Sequence, residues 1–91
     1  MLFRFLALGE NFPMAGEDGM RMMGWYKTAW VKASNLEEAK TQALDMVGKE
    51  LRENRLETTS ESSVSWDEIE EFENGEIPEP ASGFTFFEME I

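Results

Sequence analysis

Only one stretch of this 91-residue chain carries a helical apolar period, and that constrains the fold more than any other feature. Leu36, Ala39, Ala43, Leu44, Val47 and Leu51 recur at the spacing of one helix face. Ser34 stands before them as an N-cap, and Glu37 completes a capping box with it. Glu37 suits the positive end of the helix dipole, while Lys49, Arg52 and Arg55 suit the negative end. Gly48 costs about 1 kcal/mol relative to alanine inside a helix, so it marks either a close backbone contact or an early end.

The remaining apolar residues must therefore build a sheet. Leu2-Phe3-Arg4-Phe5-Leu6-Ala7-Leu8 is a short apolar run stopped by Gly9, which predicts a strand. Residues 9–24 hold Gly9, Pro13, Gly16, Gly19 and Gly24 without a sustained period, so they read as a long Gly/Met-rich connection. A second strand is expected over residues 25–33, with Trp25, Ala29, Val31 and Ala33 on one face and Tyr26, Thr28 and Trp30 on the other. Residues 57–63 form a polar loop with no apolar side chain. Beyond it Val64 and Trp66 alternate as in a strand, but Ile69 and Phe72 are three apart, so the phase slips near Asp67. A bulge or a switch to a helical turn explains such a slip. After the Asn74-Gly75 turn, Phe87, Met89 and Ile91 alternate with Glu88 and Glu90 as a last strand with one buried face. The expectation is a single α+β domain spanning 1–91: a small antiparallel sheet with one helix packed on one face, in the order β-β-α-β-β.

The net charge of -11 is unevenly spread. Acids and bases nearly cancel up to residue 56, whereas the eleven charged side chains of residues 57–91 are all acidic. Asp67, Glu68, Glu70, Glu71, Glu73 and Glu76 are interleaved there with Trp66, Ile69 and Phe72, and together these nine are the candidate partner-binding residues. Alternate strand residues lie about 7 Å apart, near the spacing of successive phosphates, so Glu68 and Glu70 could be read as a phosphate pair. Such a surface steers a cationic partner and offers it an apolar anchor.

Other functions are disfavoured by what the chain lacks. With no histidine and no cysteine it has no imidazole base, thiol nucleophile, thiolate zinc site or disulfide. Nothing in the sequence brings a particular Ser-Lys or carboxylate pair together, so no catalytic residue and no cofactor is assigned. The run from Asp67 to Glu76 departs from the EF-hand pattern at Ile69 and lacks its glycine, which leaves only weak divalent-cation binding and no dedicated metal site. Direct nucleic-acid binding is disfavoured because no basic patch exists to neutralise phosphates. The first apolar run is too short to span a membrane and lacks a cleavage site, so it reads as a strand of a cytoplasmic protein rather than a signal.

The expectation is a non-enzymatic, acidic protein-interaction domain, of inhibitor or immunity type, docking a basic surface of a nucleic-acid-handling protein. One alternative is a structural protein or homodimer joined through Trp25, Trp30 and the methionines Met14, Met20, Met22 and Met23. The other is the weak divalent-cation binder.

Overall fold

The computed structural model describes residues 1–16, 19–73, 75–77 and 84–89. Five elements follow one another: β1 Leu2–Gly16, β2 Gly19–Lys32, α1 Leu36–Glu53, β3 Ser63–Phe72 and β4 Thr85–Glu88. The strands form one antiparallel sheet in the order β3-β1-β2-β4. The class is α+β.

The long connection expected over 9–24 is instead the outer half of a hairpin. β1 and β2 stay paired from Leu2 opposite Lys32 out to Gly16 opposite Gly19. Two of the glycines that suggested a loop are strand residues lying beneath aromatic rings. Gly9 is paired with Trp25, and a methyl group built on Gly9 would fall inside the indole. Gly24 is paired with Phe87, whose ring covers it in the same way. Glycine breaks strands in isolation, but here the missing side chain makes room for a ring from the neighbouring strand.

A register shift between Gly9 and Phe12 lets this long ribbon bend. Asn11 adopts the left-handed conformation at φ 61°, which asparagine tolerates better than most residues. Asn11 also ties the bend to both sheet edges. Its backbone N–H donates to Met89 Sδ at 3.1 Å, its carbonyl accepts from Ser62 Oγ at 2.6 Å, and its side chain donates to the Glu61 carbonyl at 3.3 Å.

The helix starts one residue later than its sequence suggests. Asn35 is the N-cap, and its side chain accepts from the Glu38 N–H at 2.9 Å. Asn35 and Ser34 are comparable caps, and the helix that Asn35 caps buries Ala39, Ala43 and Val47. That buried stripe is narrower than the apolar pattern implied, because Leu36 and Leu44 are exposed. Small side chains let the helix backbone come close to the strands. Ala39 and Ala43 join Phe3, Phe5, Ala29 and Val31 in one buried cluster, and Val47 joins Ala7, Phe12 and Trp25 in another. Gly48 marks neither an early end nor a tight contact, since a methyl there would meet only the Arg52 side chain at 3.5 Å. The helix ends with Arg55 at φ 55° and the Leu56 N–H donating to the Leu51 carbonyl at 3.0 Å, a Schellman-type stop.

No helix or strand occupies residues 57–62, and β3 opens at Ser63, which pairs with Glu10. The sequence reading of 57–63 as loop thus overran by one residue, because pairing with β1 recruits a serine of no strand preference.

Candidate interaction surface

The phase slip at Asp67 is a bulge. Leu6 pairs with Glu68 and Ala7 with Trp66, so Asp67 has no partner across the ladder. One extra residue flips every later side chain to the opposite face. Val64 and Trp66 before the bulge share a face with Gly9 and Ala7. After it, Ile69 and Glu71 share that face with Phe5 and Phe3, while Glu68, Glu70 and Phe72 stand opposite beside Leu6, Arg4 and Leu2.

The nine candidate residues are accordingly divided. Trp66 is half-buried and packs on both core clusters, with its ring 5.0 Å from Phe5. Ile69 remains 38% exposed. Phe72 stacks across the sheet on Trp30, with ring centroids 6.1 Å apart. Asp67, Glu71, Glu73 and Glu76 are exposed, and among the described residues they form no salt bridge.

Glu68 and Glu70 meet a cation that no reading of residues 57–91 alone could supply. Arg4, on the neighbouring strand, donates from Nε to Glu70 at 2.8 Å and from Nη2 to Glu68 at 2.8 Å, with a further bond from Nη2 to Glu70. Its bonds to Glu68 and then Glu70 raise the guanidinium pKa above its ordinary value, against the opposing effect of burial. The two carboxylates therefore converge on one guanidinium. Sequence reasoning missed Arg4 because its partners are more than sixty residues away; its lone charge amid the apolar β1 run was the available signal.

The face that bears this clasp also carries Leu6, Leu8, Thr28 and the aromatics Tyr26, Trp30, Phe72 and Phe87. Cross-strand pairing puts them all on one side. Tyr26 and Phe87 lie 5.4 Å apart and Tyr26 is 36% exposed. Trp25 is on the other side, fully buried between Phe12 at 5.4 Å and the edge of Phe84 at 5.0 Å, with no hydrogen-bond partner for its indole N–H among the described residues. Trp25 therefore cannot serve the association surface that the sequence suggested for it. On that same side Lys27 is buried and paired with Glu50 of the helix, its Nζ 5.2 Å from the Phe84 ring centre. The last strand presents rings to both faces rather than burying one, since Phe84 and Phe86 stack together 5.8 Å apart while Phe87 covers Gly24. Glu88 reaches Arg21 at 3.5 Å, and Glu90 and Ile91 lie outside the described residues.

Among the described residues no three carboxylates converge to hold a cation, and no helix is long and apolar enough to cross a membrane. Comparison of the chain with protein-family models, curated proteins and solved structures finds no match.

Proposed function

We propose that this chain is a non-enzymatic interaction domain whose acidic β3 edge docks a basic surface of another macromolecule, in the manner of an inhibitor or immunity-type protein. The observation that carries the reading is the separation of the acids: Arg4 engages Glu68 and Glu70, while Asp67 and Glu71 on the outermost strand and Glu73 just past its end stand exposed without a salt bridge among the described residues. Unneutralised carboxylates in a row on one edge attract and orient a cationic partner. Ile69 beside them supplies an apolar contact. A nucleic-acid-handling protein fits as the partner because its phosphate-binding surface is basic.

The test is positional. A lysine-rich peptide is titrated into the wild type, into an Asp67→Asn, Glu71→Gln, Glu73→Gln variant, and into a helix variant, Glu37→Gln, Glu38→Gln, Asp45→Asn, of the same net charge. The edge variant should weaken binding about tenfold more than the helix variant, roughly 1.4 kcal/mol. Equal weakening would reduce the effect to net charge and end the proposal.

A further inference from the structure

We infer that Met20, Met22 and Met89 form a thioether site for a soft monovalent cation of the Cu(I) type. Four of the chain's seven methionines, Met14, Met20, Met22 and Met23, lie between residues 14 and 23. Strands favour β-branched and aromatic side chains, yet β2 opens with Gly19-Met20-Arg21-Met22-Met23. The strand ladder sorts these residues by face. Met23 is opposite Phe12 and Met14 opposite Arg21, on the helix side. Met20 and Met22 stand on the open face, two residues and so about 7 Å apart. Their partners on β1 are the small Ala15 and Pro13, which leave the space above them to the thioethers.

The third sulfur arrives from the other end of the chain. The Met89 N–H donates to the Met22 carbonyl at 3.2 Å, which extends by one step the register in which Met23 faces Glu88. Met89 is therefore directly opposite Met22, with Cα atoms about 5.5 Å apart and both side chains on the open face. The Met89 side chain crosses β2, because its Sδ accepts from the Asn11 N–H of β1 at 3.1 Å. That hydrogen bond holds the sulfur above the strand that carries Met22. It uses one of the two sulfur lone pairs and leaves the other for a metal.

The donors select the ion. Thioethers are neutral, soft and polarisable, so they suit Cu(I), whereas Ca²⁺ and Mg²⁺ require oxygen ligands. Each methionine has three rotatable bonds, and side chains at these spacings can close on one ion. With no cysteine and no histidine, the chain has no thiolate or imidazole to compete for it. Met20 is 61% exposed and gives the ion entry, while Met22 and Met89 are half-buried and shield it from water. The net charge of -11 draws cations toward the molecule.

Silver nitrate titrated into the full chain in chloride-free buffer tests this, because Ag(I) shares the soft character of Cu(I) and stays in one oxidation state. Calorimetry gives the affinity, the carbon shifts of the methionine methyl groups locate the ion, and circular dichroism establishes that each variant is folded. One ion per chain should move the signals of Met20, Met22 and Met89 and leave those of Met14, Met23 and Met46 in place. Calcium nitrate should move none of them. Met22→Leu and Met89→Leu keep the volume and should each weaken silver binding about tenfold or more. Met14→Leu removes a thioether of the same hairpin from the other face and should leave binding within about twofold. Methyl signals that stay in place, or that all move alike, would overturn the inference, and both are read on the wild type whether or not a variant folds. So would a loss with Met14→Leu equal to that with Met22→Leu. The edge variant Asp67→Asn, Glu71→Gln, Glu73→Gln should keep the same methyl shifts, so this inference and the docking proposal can fail separately.

Discussion

The two faces of the sheet are built from the same pair of devices at different depths. Each has a glycine beneath an aromatic ring from the next strand, Gly9 under Trp25 on the helix side and Gly24 under Phe87 on the open side. Each has a basic strand residue held by carboxylate. On the helix side Lys27 meets Glu50 with its side chain only 4% exposed, and on the open side Arg4 meets Glu68 and Glu70 with 19% exposed. The devices match, but the consequences of disturbing them differ, because burial decides whether a neighbour can move aside and whether water can replace a lost partner.

The largest contrast should come from the glycines. Gly9→Ala drives a methyl group into an indole that has no free volume, and should cost about 3 kcal/mol or more in chemical denaturation. Gly24→Ala meets a ring that is half-buried on a short edge strand and can swing out, so its cost should be nearer 1 kcal/mol. Equal losses would break the contrast between the faces.

The charged pairs come next. Glu50→Ala takes one carboxylate partner from a buried ammonium, which should cost about 2 kcal/mol, whereas Lys27→Met removes the buried charge itself and should stay within about 1 kcal/mol of wild type. Arg4→Met should cost under about 1 kcal/mol, as exposed pairs do. The Arg4 contribution should also be independent of pH near neutrality. A raised guanidinium pKa means that its stabilisation is complete below the ordinary guanidinium value and is lost only as pH climbs through the still higher folded value. Urea unfolding of wild type and Arg4→Met between pH 6 and 9 measures that difference directly.

The smallest effect tests how tightly the covered side is built away from its core. Gly48 has room for a methyl group, so Gly48→Ala should stabilise the helix by about 0.5 to 1 kcal/mol, seen as a raised Tm.

How much of this was legible in the sequence follows from the range of each interaction. The helix was readable because capping and apolar period act within a few residues, and even there two adjacent residues, Ser34 and Asn35, offered equivalent caps. The slip at Asp67 was visible as a break in alternation, and the bulge gave it physical form. Residues 9–24 misled because glycine in a strand and glycine in a loop look alike until the ring across from it is known. The candidate surface was legible as a cluster of acids but not as a divided one. Its division depends on Arg4 and on the face-flipping effect of a single unpaired residue, both of which act through strand pairing between distant parts of the chain.

The division between the clasped pair Glu68 and Glu70 and the bare acids of the edge is open to one direct measurement. Titration of a lysine-rich peptide should show binding weakened about tenfold more by Asp67→Asn, Glu71→Gln, Glu73→Gln than by Glu37→Gln, Glu38→Gln, Asp45→Asn, which changes the net charge equally. Equal weakening by the two variants would contradict the account, since binding would then follow net charge and not the edge.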